Sequence, residues 1–338
     1  MNPTRTAEGV LLGGNALQQF HEARGYGTPT DTNSLLVTPV EAAHLLYRGD
    51  ISDVDGDSFC EYLSSLNDES IATRFLVYKD FRDRGFYLRP AGSDHPGVDY
   101  HVFKRGTRPS EGKVAHEVRV IDERTPLSVD SLRPGVLAFV DEEGEIGYVT
   151  VDHWEPAGTV GLPEERGISA TLAGNRVLVP DPPQSLYHKY FFGQPLAGRT
   201  ATEGVVQLSL VEAIYLHERD IITISAADVR DRARSIEGPH FDPRLAVYTA
   251  LRDAGIVTKT GYKFGADFRL YPSFSSVEDM GHSTALVRVR LPTDTFQPHN
   301  ISLDVRLAHG VGKRMLFALR QGPADNPISW ISIQRITP

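Results

Sequence analysis

The chain has 338 residues, a length that favours two domains. Its composition, 40% hydrophobic and 23% charged, is typical of a folded globular protein and excludes a disordered or fibrous one. No stretch approaches the roughly 20 consecutive apolar residues of a membrane span, and the start, MNPTRTAEGVLLGG, lacks a secretory signal pattern. The single cysteine, Cys60, excludes an intramolecular disulfide and a cysteine-based zinc site. We therefore expect a cytoplasmic protein.

The net charge of −9 is unevenly distributed along the chain. Residues 241–338 contain 12 lysines and arginines against 8 aspartates and glutamates, a net charge of +4. The remaining residues contain 23 and 36, a net charge of −13. Such an asymmetry indicates a segment that faces RNA or DNA within an otherwise acidic protein. The acidic remainder argues against a general polyanion binder, because phosphate affinity depends on local cations.

The chain repeats itself at an offset of about half its length. Four pairs of segments align, and their offset stays between 166 and 171 residues. The aligned pairs are residues 20–29 with 186–195, 34–51 with 205–222, 77–86 with 247–256, and 99–103 with 267–271. Chance matches would scatter this offset. The pattern therefore predicts a tandem duplication.

Both halves begin with the same predicted elements. A helical stretch ends at a Gly-x-Pro break, and a short strand then leads into an amphipathic helix whose N-cap is Thr38 or Ser209. A second helix follows and stops at Gly85 or Gly255, as helices commonly do at a glycine. These second helices are predicted over about residues 72–84 and 243–254.

The second half continues with β-rich sequence. IVTKTGYKFGADFRLY at 256–271 predicts strands, and TALVRVRL after it alternates with a period of two. The segment between Arg290 and Asn300 is expected to be a loop. A helix from about Asp304 to Lys313 then precedes the predicted strands MLFAL and ISWISIQRI.

These elements predict an α/β protein of two tandem repeats, each with an α+β lead domain followed by an α/β domain. The Pro- and Gly-rich stretch 156–183 is the expected boundary between the halves. The predicted domains are a first repeat, 1–165, with subdomains 1–88 and 89–165, and a second repeat, 166–338, with subdomains 166–240 and 241–338.

The positions that differ between the halves indicate where chemistry is retained. Tyr271 aligns with Phe103, which keeps the ring and loses the hydroxyl. Lys313 falls near Pro134, and His282 has no secure counterpart in the first half. A single change of this kind is an ordinary core difference. The joint loss of a tyrosine and a lysine is better explained by a site confined to the second half.

Three motifs of the second half resemble the archaeal tRNA-splicing endonucleases. They are KTGYKFGADFRLY at 259–271, GHS at 281–283 and VRLAHGVGKRMLFAL at 305–319, followed by a terminal strand. Family members of this length are tandem duplications with a catalytically silent first copy, so the resemblance covers essentially the whole chain. It implies that each repeat ends in a nuclease-like subdomain, a mixed sheet flanked by helices. It also implies that no cofactor or metal is needed and that the catalytic residues are Tyr271, His282 and Lys313.

These three residue types suit RNA cleavage without a metal. The reaction needs a base near the 2′-hydroxyl, an acid for the 5′-oxygen that leaves, and a cation for the charge on the phosphorus oxygens. Histidine suits the acid role because its ordinary pKa of about 6.5 lies near working pH, and lysine supplies a compact positive charge. Tyrosine ionises at about pH 10, so it needs neighbouring cations to act as the base. The resemblance implies a 2′,3′-cyclic phosphate and a 5′-hydroxyl as products.

The resemblance also implies partners. Arg306 and Arg335 stand where the family places two arginines that sandwich a flipped-out base, and a guanidinium can stack on a base. Each arginine, taken alone, could equally form a surface ion pair. The expected substrate is precursor tRNA with a bulge-helix-bulge, recognised by shape and unpaired nucleotides by a homodimer with two sites. The acidic loop DEEGEIG falls where the silent copy docks onto another chain, and its candidate dimer contacts are Asp141, Glu142, Glu143 and Glu145.

Two alternatives stay open at this point. Asp99 with Glu111 and Lys113 imitates the Asp…Glu-x-Lys arrangement of metal-dependent nucleases, in which carboxylates hold Mg²⁺ beside a lysine. Glu111 lies in RGTRPSEGK, a Pro- and Gly-punctuated stretch, whereas that arrangement needs a strand. The second alternative is a non-catalytic RNA-binding subunit that assembles with a catalytic partner.

Overall fold

Two units make up the part of the chain that the structure describes. The computed structural model describes residues 3–338 except positions 32, 93, 111, 129–130, 202, 292 and 321–326. One unit, here unit 1, comprises Met1–Asp152, Thr295–Leu303 and Arg335–Pro338. The other, unit 2, comprises His153–Asp294 and Asp304–Gln334. No helix within these described residues is long and apolar enough to cross a membrane.

Unit 1 mixes helices and strands. Its elements in chain order are β1 (Thr4–Thr6), β2 (Gly9–Leu12), a π-helix (Leu17–Glu22), β3 (Thr28–Pro29), β4 (Leu35–Val37), α1 (Pro39–Tyr47), α2 (Phe59–Ser65), α3 (Ile71–Asp83), β5 (Leu88–Pro90), β6 (Tyr100–Phe103), β7 (Val114–Asp122), β8 (Leu127–Ser128), β9 (Gly135–Val140) and β10 (Ile146–His153). A small antiparallel sheet has the order β1-β2-β4-β3. The strands β5-β6-β7-β9-β10 follow one another in a mixed sheet, in which β7 and β9 are parallel.

Unit 2 has a similar order of elements. From residue 168 onward the elements are β11 (Ile168–Ser169), β12 (Thr171–Ala173), β13 (Arg176–Val179), α4 (Gln184–His188), β14 (Gln194–Pro195), β15 (Val206–Leu208), α5 (Leu210–His217), β16 (Ile222–Thr223), α6 (Ala226–Glu237), α7 (Phe241–Asp253), β17 (Val257–Thr260), β18 (Phe268–Tyr271), β19 (Ala285–Arg290), β20 (Thr295–Phe296), α8 (Pro298–Gly310), β21 (Arg314–Arg320) and β22 (Ile328–Ile336). Of these, β20, the start of α8 and the end of β22 fall within the bounds of unit 1. The strands β17-β18-β19-β21-β22 are neighbours in a mixed sheet, and β19 and β21 are parallel. The fold is therefore mixed α/β.

Each unit has its own hydrophobic core. In unit 1, α3 contributes Val77, Tyr78 and Phe81, all fully buried. In unit 2, α7 contributes Val247 and Leu251 in the same way. The alternating apolar positions of β19 face that core. The helix thus covers one face of the sheet and leaves the opposite face of β18 and β19 for polar side chains.

The predicted helix caps are confirmed. The side chains of Thr38 and Ser209 each accept a hydrogen bond from the backbone N–H three residues on. The glutamate at that position in turn accepts a hydrogen bond from the backbone N–H of the cap residue. These capping boxes begin α1 and α5. The predicted stops are confirmed as well, because Gly85 (φ +85°) and Gly255 (φ +78°) follow α3 and α7 in a conformation that favours glycine.

Two predicted boundaries were wrong. The last helix begins at Pro298, not at Asp304, and it ends at Gly310 before Lys313. A proline is well tolerated in the first helical turn, and Ile301 extends the buried stripe of the helix toward its N-terminus. The segment predicted as a loop before the helix also contains β20, which pairs with β8. The stretch 156–183, expected as a boundary, contains β11, β12 and β13.

The capping glutamates of the two units differ in their electrostatic surroundings. Both are buried and accept a backbone N–H, from Gly27 in the case of Glu41 and from Gly193 in the case of Glu212. Glu212 also accepts a hydrogen bond of 2.7 Å from the ammonium of Lys259. Burial raises the pKa of Glu41. Burial also acts on Glu212, but the Lys259 charge and the hydrogen bonds outweigh it and lower the pKa of Glu212 to about 2.

We predict that Lys259→Met destabilises the protein by about 3–5 kcal/mol at neutral pH, because it leaves the Glu212 carboxylate buried without its partner. In the wild type, the pKa of Glu212 is depressed from 4.5, so the stabilisation is complete above pH 4.5 and is lost as the pH falls toward 2. Thermal unfolding as a function of pH measures both effects. The exposed Lys104→Met serves as the control, and an equal effect of the two substitutions would contradict the assignment.

Candidate active site

Three strand ends of unit 2 meet at one edge of its mixed sheet. Leu270 of β18 pairs with Ala285 of β19, and Ala285 pairs with Arg314 of β21. Two backbone hydrogen bonds of 3.0 Å continue this row, from Thr284 N–H to the Leu270 carbonyl and from Arg314 N–H to the Thr284 carbonyl. Because β18 is antiparallel to β19 and β19 is parallel to β21, the end of β18 coincides with the starts of the other two strands.

The three predicted catalytic residues flank this row. Tyr271 is the last residue of β18, His282 lies two positions before Thr284, and Lys313 directly precedes β21. Lys313, more than thirty residues further along the chain, therefore arrives at the same sheet edge as Tyr271 and His282. The order of the strands in the sheet brings these three residues together. Their spacing in the sequence does not reveal this proximity.

Tyr271 has a buried ring in an aromatic cluster. Its ring centroid lies 6.0 Å from that of Phe191 and 6.5 Å from that of Phe274. The guanidinium carbon of Arg269 lies 5.7 Å from the same centroid. Arg269 stands two residues earlier on β18, so the two side chains share one face of the strand. The packing fixes the orientation of the phenol at the sheet edge.

Lys313 is half-buried and held by a backbone group. Its ammonium donates a hydrogen bond of 2.7 Å to the carbonyl of Ser283 and lies 5.6 Å from the ring centroid of Phe264. A turn at Gly312 (φ +65°) lets the chain leave α8 and carry Lys313 to the sheet. Burial lowers the pKa of Lys313, and repulsion from Arg269 adds to this effect.

His282 is exposed in the connection between β18 and β19. It directly precedes Ser283, whose carbonyl accepts the hydrogen bond of Lys313, so the backbone of His282 lies one residue from the group that holds the ammonium. No hydrogen bond of the imidazole is found within the described residues. The structure therefore brings His282 to the same edge as Tyr271 and Lys313 and leaves its ring accessible.

The basic residues of the second half that could contact RNA fall into two groups. Arg306 and Arg335 are exposed on α8 and β22, and neither forms an ion pair within the described part of the chain. In contrast, Lys259 is paired with Glu212, and Arg288 donates a hydrogen bond of 2.6 Å to the buried carboxylate of Asp304. Burial raises the pKa of Asp304, and Arg288 opposes that shift. The sequence offers Arg269 as one of several plausible phosphate contacts that could equally be solvated strand residues, and the structure places its guanidinium beside Tyr271.

The acidic loop of unit 1 connects β9 to β10. Asp141 is occupied within the turn, because its carboxylate accepts hydrogen bonds from the N–H groups of Glu143 (3.0 Å) and Glu145 (2.8 Å). Glu142 forms an ion pair with Arg124. Glu143 and Glu145 are exposed and have no basic partner within the described residues. These two side chains carry the charge that the loop can offer to a partner.

Asp99, the first ligand of the alternative metal site, already has partners within the protein. Its carboxylate pairs with Arg74 at 2.9 Å and accepts a hydrogen bond from the N–H of Val120 at 2.8 Å. Lys113 is exposed before β7, and Glu111 lies outside the described residues. Within the described ranges, no group of three or more His, Cys, Asp or Glu side chains is placed to hold a metal ion.

We predict that Lys313 becomes reactive toward an amine-acetylating reagent at a lower pH than free lysine does. Its pKa is lowered by burial and by Arg269, so a larger fraction is deprotonated at a given pH. Mass spectrometry of acetylation rates over a pH series gives the midpoint for this one side chain, with N-acetyl-lysine amide as the reference. A midpoint equal to or above that of the reference would contradict the geometry.

Comparisons with known proteins identify one family. The family model described as tRNA intron endonuclease, catalytic C-terminal domain, matches residues 241–330, and the model of the N-terminal domain of the same family matches residues 7–63 and 168–232. The tRNA-splicing endonuclease of Halobacterium salinarum is 52% identical over 97% of both chains. The tRNA-splicing endonuclease of Haloferax volcanii is 49% identical over 99% of both chains. That of Methanosarcina mazei is 34% identical over 97% of this chain and 96% of the relative. The chain thus belongs to the tRNA intron endonuclease family.

Proposed function

We propose that the chain is an endoribonuclease that excises introns from precursor tRNA. The observation that carries this proposal is the meeting of Tyr271, His282 and Lys313 at one sheet edge, inside the segment that matches the catalytic domain of the family. The relatives named tRNA-splicing endonuclease match the chain over nearly its full length. The expected recognition element in the RNA is a bulge-helix-bulge.

The mechanism assigns one role to each side chain. Tyr271 accepts the proton of the 2′-hydroxyl, and the 2′-oxygen then attacks the adjacent phosphorus. Lys313 stabilises the negative charge that develops on the nonbridging oxygens. His282 donates a proton to the 5′-oxygen as the bond from phosphorus to that oxygen breaks. The products are a 2′,3′-cyclic phosphate and a 5′-hydroxyl, and no step needs a metal.

The side-chain environments support these roles. The guanidinium carbon of Arg269 lies 5.7 Å from the ring centroid of Tyr271, which puts a cation beside the proposed base. The ammonium of Lys313 is oriented by the Ser283 carbonyl and keeps two further N–H donors for phosphate oxygens. The exposed imidazole of His282 can exchange its proton with solvent between turnovers.

The proposal includes a tandem duplication with one silent copy, residues 1–165, and one catalytic copy, residues 166–338. Support comes from the N-terminal family model, which matches twice, and from the similar order of elements in the two units. The strand ladders refine the comparison: Val118 pairs with Val136, and Val287 pairs with Leu316. In this register Arg133, one residue before Pro134, takes the place of Lys313. The first copy therefore retains a cation at this position. Its lack of activity is explained by Phe103, which has no hydroxyl to act as the base.

The proposed assembly is a homodimer in which the acidic loop of one chain binds the catalytic copy of the other. Glu143 and Glu145 are its main contacts, since Asp141 and Glu142 are engaged within unit 1. The charge distribution supports this pairing: the segment 241–338 is positive and the remainder is negative. Two catalytic sites at a fixed separation would then meet the two bulges of the substrate.

We predict that His282→Ala lowers the single-turnover cleavage rate of a bulge-helix-bulge transcript by about 10²–10⁴-fold, because the leaving oxygen loses its acid. Affinity for the RNA changes little, since the imidazole is not needed for charge neutralisation. Cleavage and filter binding are measured on the same protein, in EDTA. His309→Ala, an exposed histidine on α8, is the matched control.

Each contrary outcome has a definite meaning. Full cleavage by the His282→Ala variant contradicts the acid assignment. A wild type that cleaves only with added Mg²⁺ contradicts the metal-free mechanism. A wild type that binds the transcript without cutting it favours the non-catalytic assembly subunit.

We predict that Glu143→Lys/Glu145→Lys shifts the homodimer toward monomer, because it replaces attraction to a basic cleft by repulsion. Sedimentation velocity over a range of protein concentrations measures the shift. The control Glu8→Lys/Glu22→Lys makes the same charge change at two exposed glutamates away from the loop. An unchanged dimer in the loop variant would overturn the proposed contact.

A further inference from the structure

Arg269 lies among cations and has no acidic partner. It stands directly opposite Lys259 in the antiparallel pair of β17 and β18. Like charges in such positions repel each other and destabilise a sheet. Lys259 is neutralised by Glu212. Arg269 forms no ion pair with any residue that the structure describes, so its charge stays uncompensated within the protein.

Lys313 is the second uncompensated cation of the same face. The acceptor of its ammonium is a neutral carbonyl, that of Ser283. Arg269 is close enough to contribute to the lowered pKa of Lys313, after the larger effect of burial. The Nε of Arg269 is buried and has no hydrogen-bond partner. Two neighbouring cations with unused donors form the kind of site that binds a phosphate group.

We propose that Arg269 binds the scissile phosphate together with Lys313 and is therefore a further substrate-binding residue of this enzyme. The inference rests on the proposed function, because it concerns the phosphate that Tyr271 and His282 act on. Arg269 shares a face of β18 with Tyr271, and its guanidinium carbon lies 5.7 Å from the ring centroid. A planar guanidinium can bind two oxygens of one phosphate, whereas an ammonium acts as a point charge.

The aligned segment of the first half supports a role in the reaction. DFRLY at 267–271 aligns with DYHVF at 99–103, so His101 stands in the place of Arg269. His101 contacts His95, with ring centroids 4.7 Å apart. The arginine and the tyrosine thus differ together between the two halves. The aspartate at the start of the aligned segment is present in both halves. Asp99 accepts a hydrogen bond from the N–H of Val120, and Asp267 accepts one from the N–H of Val289.

There is also room for a ligand beside Arg269. A cavity of about 370 Å³ in unit 2 borders this residue. Three further arginines line it: Arg244 pairs with Glu237, whereas Arg176 and Arg199 are exposed and form no ion pair in the described part of the chain. Arg269 therefore borders space that a phosphate group can enter.

The test compares Arg269→Gln with Arg269→Lys in the full-length protein. We expect Arg269→Gln to lower the single-turnover rate at saturating RNA by about 10–100-fold. It should also raise the concentration of inorganic phosphate that half-inhibits cleavage by at least about fivefold, since one of two cations that bind phosphate is lost. Arg269→Lys keeps the charge and should recover most of both properties. Thermal unfolding confirms that the variants are folded.

Lys263→Gln is the matched control, because it removes one exposed positive charge a few residues away. The inference is overturned if Arg269→Gln cleaves at the wild-type rate. It is equally overturned if the rate falls while inhibition by phosphate is unchanged and lysine gives no rescue, because that combination indicates a purely structural role. Failure of the wild type to cleave the transcript is a different result, and it would reject the proposed function itself.

Discussion

The register of three strands in unit 2 is the constraint on which the candidate site depends. Leu270, Ala285 and Arg314 lie in one row across β18, β19 and β21. A shift of one residue in either pairing would turn every side chain of the shifted strand to the opposite face. The row also determines which strand ends lie at the same edge of the sheet. Tyr271 and Lys313 reach the same sheet edge because the row is in register and each residue directly adjoins it.

The charges of unit 2 separate into those that serve folding and those that stay available. Lys259 and Arg288 lie close to the sheet edge, and each is matched by a buried carboxylate, Glu212 and Asp304. A buried cation without such a partner would cost several kcal/mol, on the order of the penalty for removing one member of a buried pair. Arg269 and Lys313 have no matching acid in the described chain, so an anionic ligand is what lowers their electrostatic energy. Under the proposed function, Arg269 and Lys313 are the cations that remain available to the RNA.

How far the sequence predicts this molecule depends on the range of the interactions involved. Thr38 and Gly255 were predicted correctly because an N-cap and a helix stop follow from the chemistry of one residue and its immediate neighbours. The start of α8 at Pro298 was predicted six residues too late, since the buried position Ile301 acquires its meaning only from tertiary packing. The hydrogen bond from Lys313 to a backbone carbonyl has no signal in the sequence at all, because every residue has such a carbonyl.

Comparing the two proposed copies reduces the number of residues that can distinguish a silent copy from a catalytic one. Strand register gives the first copy a cation, Arg133, in the place of Lys313, so positive charge at that position does not distinguish them. The difference lies on the strand before it, where Phe103 and His101 replace Tyr271 and its neighbouring arginine. A phenol restored at Phe103 would still lack the guanidinium that lies beside the ring of Tyr271. Under the proposed duplication, the silence of the first copy therefore involves at least these two residues on one strand face, and we expect no single substitution to reverse it.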